Sequence, residues 1–396
     1  MCLILLTPRD TMASSDAEGV IQEKHPVIKQ YKISLRMGMG IITIFLLVCL
    51  FYMLNNSCDE VKGTFKQNTL MYKLGNSSKP AEASQMKLTT SGQVSTESTW
   101  IQALIVKHPH PTTEPGIMFV QTSGELNPSP LIMCSVESAA RLNPNKPVYF
   151  FMKAFNGDIS AYQEPEYKGI LLLSSFKNVF ILPLNPKELF SSTPLAGWYE
   201  KVDPSKETFW FHVLADGCRL ALLWKYGGIY LDTDVISIKP LQFENFLCEE
   251  SNNRANNAAL GFNHSHSFIE SCLSDFVEDY NGADWGHQGP KLMTRILKKW
   301  CGTDDLDDFL NKKCKGILYL SSNWFYPVPY TNWQRFFEEG TWNENSEEIR
   351  NEFTKTRGVH IWNFLSGRHR AHIKGSRSII EYLFSEFCPS TYEELM

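Results

Sequence analysis

The stretch from Asp216 to Asp234, DGCRLALLWKYGGIYLDTD, restricts the fold of this chain more than any other segment. It opens inside a run with helical spacing, Phe211–Tyr226, whose apolar Val213, Leu220, Leu223 and Trp224 fall on one side. Gly227-Gly228 then supplies a stop, because glycine adopts the backbone conformations that end a helix at little cost. Ile229–Leu231 reads as a buried strand, and Asp232-Thr233-Asp234 follows it directly. The same alternation precedes it. Ile117–Gln121 (IMFVQ) suits a strand, Leu131–Leu142 a helix, Val148–Met152 (VYFFM) a second strand and Val179–Leu182 a third. Strand, helix and strand in turn predict an α/β domain built on a largely parallel sheet. In such sheets ligands collect at the carboxyl ends of the strands.

The acidic pair sits at such an end. A turn after the strand can aim Asp232 and Asp234, or one of them plus a bridging water, at a single cation. A hard cation such as Mn²⁺ or Mg²⁺ would take their oxygens together with those of a diphosphate. Neutralising a departing nucleoside diphosphate is the main electrostatic demand of glycosyl transfer. A bare D-x-D is a common solvated turn; the helix, Gly-Gly and short strand ahead of it give this one its weight. Asp216 and Arg219 stand three apart, hence on one helix face. In isolation that is an ordinary ion pair. Beside the D-x-D it offers a guanidinium fork and a carboxylate to sugar hydroxyls at the same strand end. Aromatic residues make up 13% of the chain, and although most must be core or rim, such rings also serve as stacking platforms for sugars.

The N-terminal part sets the compartment. Met37–Leu54 (MGMGIITIFLLVCLFYML) carries no charge, and the uncharged stretch continues to Cys58, long enough to cross ~30 Å of hydrocarbon as a helix. Lys29, Lys32 and Arg36 precede it while Asp59 and Glu60 follow, which keeps the N-terminus cytoplasmic. A cleaved signal peptide fits less well, given the long polar lead and the lack of an A-x-A-like site. The expected order is a cytoplasmic tail (1–36), a transmembrane signal anchor (37–57), a stem (58–115) and a luminal catalytic domain (116–396). The stem has too few apolar residues to offset its ordering entropy and reads as flexible. Cys58, Cys134, Cys218, Cys248, Cys272, Cys301, Cys314 and Cys388 fall on the luminal side, where disulfides form, with the pairing left open. Sequons at Asn55, Asn76 and Asn263 fit a luminal route. The net charge of −5 argues against a nucleic-acid partner.

The pattern D-x-x-R-x-x-x-L-x-x-x-G-G-x-Y-x-D-x-D resembles the DXD-containing sugar-transfer family with a GT-A type, Rossmann-like fold. More narrowly, several motifs resemble the vertebrate α1,4-glycosyltransferases: CSVESAA (Cys134–Ala140), WKYGGIYLDTDVISIKP (Trp224–Pro240), WGHQGP (Trp285–Pro290), H-x-WN (His360–Asn363) and CP-x-TY (Cys388–Tyr392). The resemblance divides the domain into a D-x-D half, to about residue 260, and an α1,4-glycosyltransferase region over about 261–396.

It implies a retaining enzyme using a UDP-sugar, with Mn²⁺ (or Mg²⁺) held by Asp232, Asp234 and His360. It implies Asp216, Arg219, Tyr230 and Asp232 around the donor. Trp285, His287 and Gln288, in a Gly-punctuated loop, would bring an aromatic face and polar groups to a sugar, with Gln288 joining Asp216 and Arg219 as a catalytic candidate. Retention without an evident nucleophile implies front-face attack. The implied acceptor is a terminal β-galactose and the implied site a Golgi membrane, single-pass type II, compatible with a homo-oligomer. Within the subgroup the local text reads closer to a branch moving GlcNAc from UDP-GlcNAc to a glycoprotein O-glycan. The alternative moves galactose from UDP-Gal to a lactosylceramide-type glycolipid.

One departure stands out: the subgroup usually reads Ser-Asp-Ala-Ser-Arg where this chain has Ala215-Asp216-Gly217-Cys218-Arg219. Gly217 costs about 1 kcal/mol in a helix, and two serine hydroxyls are lost, which predicts lower donor affinity or stability. A haloacid-dehalogenase-type phosphohydrolase also carries D-x-D after a strand, but near the start of its domain and with Thr or Val where Ile236 stands here. A non-catalytic Golgi lectin or partner subunit is the remaining rival.

Overall fold

The computed structural model describes residues 114–162, 167–342, 347–367 and 373–396. The expected tail and anchor, and all but the last two residues of the stem, lie outside them. Among the described residues no helix is long and apolar enough to cross a membrane.

The described residues form ten strands: β1 (Ile117–Gln121), β2 (Val148–Met152), β3 (Val179–Pro183), β4 (Gly228–Leu231), β5 (Val235–Ser237), β6 (Phe246–Ser251), β7 (Arg254–Phe262), β8 (Lys312–Cys314), β9 (Ile317–Leu320) and β10 (Gly358–His360). The helices are α1 (Pro130–Leu142), α2 (Lys168–Ser174), α3 (Pro186–Phe190), α4 (Leu195–Lys201), α5 (Trp210–Tyr226), α6 (Ser267–Glu278), α7 (Leu292–Cys301), α8 (Glu347–Glu352), α9 (Asn363–Ser366), α10 (Ile379–Phe387) and α11 (Pro389–Leu395). Eight strands form one sheet in the order β3-β2-β1-β4-β7-β6-β9-β8, and β5 pairs with β10 in a second.

The three expected N-terminal strands and β4 are parallel, as the βα alternation requires. Beyond β4 the expectation of a largely parallel sheet is corrected. Strand β7 runs antiparallel to both β4 and β6, β6 and β9 are parallel, and β8 is antiparallel to β9. The reason is local. Strands β6 and β7 are joined by Asn252-Asn253, both with positive φ (40° and 62°), so the chain reverses in a hairpin with no crossover helix.

Strand β1 is buried along its whole length, because helices cover both sheet faces. Its alternate side chains divide accordingly: Ile117 and Phe119 enter one apolar cluster with α1 residues, Met118 and Val120 the other with α5 residues. The C-terminus locks onto the first cluster. Cys388 forms a disulfide with Cys134 of α1. One turn on, the fully buried Glu137 carboxylate accepts the N–H groups of Ser390 (2.9 Å) and Thr391 (2.7 Å) and the Thr391 hydroxyl (2.7 Å). The N-terminus of α11 thus docks on a buried anion, and Arg141 balances that charge at 2.7 Å. A second disulfide joins Cys301 to Cys314, while Cys218, Cys248 and Cys272 are buried thiols.

Glu137→Ala strands these donors and the Arg141 charge. It should lower the thermal midpoint by on the order of 10 °C with the disulfide intact. A differential scanning measurement showing a shift under 2 °C would remove Glu137 from the scaffold account.

Candidate active site

Two glycines deliver the acidic pair. Gly227 and Gly228 hold φ of 67° and 102°, and a Cβ on Gly228 would stand 2.4 Å from the Gly116 carbonyl. Only glycine lets β4 begin this close to β1. Strand β4 then ends at Leu231, with the D-x-D turning over the carboxyl edge of the sheet. The Asp232 N–H donates to Ala258 O (2.8 Å) and the Val235 N–H to Asp232 O (3.0 Å).

The antiparallel pairing of β5 with β10 sets His360 opposite Val235. That pairing carries the C-terminal H-x-WN motif to the D-x-D. The His360 Nε2 lies 3.3 Å from Asp234 Oδ1, and the Asn363 N–H donates to Asp234 Oδ2 at 2.8 Å. The Ile361 N–H donates to the Asp234 carbonyl (2.9 Å). Asp232, Asp234 and His360 present ligand atoms all within 4.8 Å of one another. Two carboxylate oxygens and an imidazole nitrogen suit a borderline-hard divalent cation. The residues fit such a group in a second respect: His360 is buried, and its Nδ1 has no hydrogen-bond partner. Burial works against a charged His360, but the carboxylates of Asp234, Asp232 and Glu250 together hold the imidazole above its ordinary pKa.

Behind the pair stands a buried network on α5 and β7. The Arg219 guanidinium places Nη1 3.1 Å from Asp232 Oδ1 and Nη2 3.2 Å from Asp216 Oδ1. It also donates to the Asn257 carbonyl at 2.7 Å and lies over the Tyr230 ring at 4.8 Å. Burial opposes its charge, yet Asp232, Tyr230 and Asp216 together hold its pKa above the usual range. The Asn257 side chain donates to Asp216 Oδ1 (2.7 Å) and the Tyr230 hydroxyl to Asp232 Oδ1 (2.7 Å). Burial pushes the Asp216 carboxyl up to about 6, against the pull of Arg219 and Asn257.

These groups face a cleft of about 800 Å³ that also exposes Trp285. The Trp285 ring stacks on Phe364 (4.2 Å, 27°) and meets His212 edge-on (4.7 Å), whose imidazole burial pushes below its ordinary pKa. His287 and Gln288 line the same cleft, but their contacts differ from those expected. The Gln288 amide donates to Phe276 O (2.8 Å) and accepts the Asn281 N–H (3.0 Å). His287 lies 2.9 Å from the Asp279 carbonyl and 3.4 Å from the Asp284 carboxylate. Both side chains therefore fasten the loop to the end of α6. Asn257, His212 and Phe364 went unread in the sequence. The doublet Asn256-Asn257 inside an apolar strand was a usable signal for the first, since buried amides need partners.

The departures from Ser-Asp-Ala-Ser-Arg also resolve. Ala215 lines the cleft, whereas Cys218 sits in the apolar cluster beneath α5. A Cβ on Gly217 would meet Leu195 Cδ1 at 3.3 Å and Phe190 Cζ at 3.4 Å, on that same buried side. Gly217 and Cys218 thus face away from the candidate donor contacts.

An acidic pair at a strand end, backed by a buried guanidinium and facing a cleft on a mixed α/β sheet, is the arrangement expected of a GT-A-like transferase. Residues 129–254 match the family described as "Glycosyltransferase sugar-binding region containing DXD motif". Residues 261–395 match "Alpha 1,4-glycosyltransferase conserved region". The chain is 41% identical over 281 residues to human "Alpha-1,4-N-acetylglucosaminyltransferase", covering 71% of this chain and 81% of that one. It is 42% identical over 287 residues to human "Lactosylceramide 4-alpha-galactosyltransferase", covering 72% and 79%. Among solved structures, galactosyltransferase LgtC with donor and acceptor sugar analogs shows 15% identity, covers 69% of this chain and 95% of its own, and has a TM-score of 0.34. The chain belongs to the α1,4-glycosyltransferase family and is a glycosyltransferase.

Gly217→Ala should raise the thermal midpoint by up to about 3 °C through helix propensity, with Leu195 giving way slightly. The KM for the sugar donor should stay within twofold. A donor KM that falls severalfold would show that Gly217 does reach the donor side.

Proposed function

We propose that this chain transfers GlcNAc from UDP-GlcNAc, with retention, to a terminal β-galactose of a glycoprotein O-glycan. The observation that carries the reading is the Asp232, Asp234 and His360 cluster beside the Asp216–Arg219–Asn257 network. Asp232, Asp234 and His360 would hold Mn²⁺ (or Mg²⁺), which when bound offsets the charge of a diphosphate leaving group. Arg219 holds Asp232 in place through an ion pair at 3.1 Å. Asp216 directs Oδ1 to Arg219 and Asn257, which leaves Oδ2 to accept a donor-sugar hydroxyl. Five of the six exposed large apolar side chains among the described residues, Phe211, Trp285, Tyr330, Phe364 and Leu365, line this cleft. Such a concentration supports an aromatic wall for the apolar face of a sugar. Attack occurs from the front face, with the departing phosphate oxygen as base. The two disulfides support an oxidising compartment, in keeping with a Golgi lumen domain on a type II anchor.

Relatives of both donor types match at similar identity, so the donor is settled by assay. UDP release by the purified full chain is followed with UDP-GlcNAc and with UDP-Gal over a β-galactoside acceptor, with and without Mn²⁺. The reading predicts Mn²⁺-dependent turnover with UDP-GlcNAc, reduced by at least about 10³-fold in Asp234→Ala. Turnover with UDP-Gal alone would assign the galactosyl alternative. Silence with both donors from folded protein would favour a Golgi lectin or partner subunit.

A further inference from the structure

The β6–β7 hairpin carries a carboxylate that the cation site and the Asp216 network leave unused. Glu249 pairs with Ala255 and Ser251 with Arg254, so Glu250 is an extra residue without a partner across the ladder. Such a bulge re-aims a side chain and is frequent beside active sites. Here Glu250 lines the cleft, while its neighbour Glu249 lies outside the lining and meets the Ser322 N–H at 3.4 Å.

The Glu250 side chain is only 7% exposed. Its Oε2 accepts from Asn256 Nδ2 at 2.8 Å. Asn256 is itself fixed, since its Oδ1 accepts the Ala258 N–H (2.8 Å) and the Tyr326 hydroxyl (3.1 Å). The other oxygen, Oε1, lies 3.7 Å from Arg254 Nη2, beyond hydrogen-bond reach. A nearly buried carboxylate hydrogen-bonded through one oxygen, with the second held only by a long ion pair to Arg254, keeps acceptor lone pairs for a ligand hydroxyl.

We propose that Glu250 is a specificity-determining residue of the acceptor site, with Oε1 accepting a hydrogen bond from a hydroxyl of the acceptor sugar. The proposal rests on the transferase reading above. Glu250 is not among the ligand atoms gathered at Asp232, Asp234 and His360, so its second oxygen is available to a sugar hydroxyl. The groups assigned to the donor lie on α5 and at the ends of β4 and β7; Glu250 stands one strand further along the sheet, on β6. The donor therefore fills the cleft between it and α5, and the sugar that reaches Glu250 is the acceptor.

The test compares the full chain with Glu250→Gln, which keeps shape and the Asn256 bond but removes the charge. Two quantities are read: the KM for a β-galactoside acceptor, and the KM for the UDP-sugar in hydrolysis without acceptor. Binding of methyl β-D-galactoside in the presence of UDP and Mn²⁺ is followed by NMR as a readout independent of turnover. The expected result is an acceptor KM and galactoside Kd raised about tenfold or more, with the hydrolysis KM unchanged within twofold. An unchanged acceptor KM and galactoside Kd overturn the proposal. A donor hydrolysis KM that rises by the same factor also overturns it, since a merely structural defect would move both. Wild-type protein that neither hydrolyses a UDP-sugar nor binds the galactoside overturns the underlying reading along with it.

Discussion

Arg219 is the residue on which the rest of the site depends. Asp216, Asp232 and Asp234 crowd the end of β4, and like charges so close are unfavourable without compensation. The guanidinium lies between the first two, 3.2 and 3.1 Å away, and its third contact, with the Asn257 carbonyl, ties α5 to β7. Its side chain is 6% exposed, so the pairings act in a poorly screened environment. Removing one partner of such a set would leave uncompensated buried charge, which is why the cluster stands or falls as a unit.

Around that charge the fold performs two further tasks. The parallel half of the sheet, with glycines at Gly227 and Gly228, fixes where the D-x-D emerges. The C-terminal segment, returning through β10, brings the His360 imidazole and the Asn363 backbone N–H onto Asp234. That segment is anchored further along by the Cys134–Cys388 disulfide and the buried Glu137. The two ends of the domain are thereby stapled, and the Asp232, Asp234 and His360 cluster is assembled from parts 126 residues apart in sequence (234 to 360).

Much of this was legible. The helix, Gly-Gly, strand and D-x-D succession is local, so its spacing carried the site, and Asp216 and Arg219 share a helix face by simple periodicity. His360 was legible only through family resemblance, because its approach to Asp234 depends on the long-range β5–β10 pairing. What stayed hidden had the same character. The Cys134–Cys388 pair, the hairpin that turns the sheet mixed and the bulge at Glu250 are all set by partners distant in sequence or by a register shift. Gln288, a catalytic candidate by its motif, lines the cleft with its amide bonded to the Phe276 carbonyl and the Asn281 N–H, partners that only the structure shows. Gly217 predicts lower donor affinity or stability from sequence, and the Leu195 and Phe190 contacts a Cβ would make there place it on the packing side.

The central claim is that Asp232, Asp234 and His360 together hold the cation that the donor diphosphate needs. The most direct measurement is a crystal structure of the protein soaked with Mn²⁺ and UDP, with anomalous diffraction recorded above the manganese edge. The account predicts one strong anomalous peak bonded to carboxylate oxygens of the D-x-D and to an imidazole nitrogen of His360, with diphosphate oxygens completing its shell. Bound UDP with no peak at this cluster, or a peak held by other residues, would contradict it.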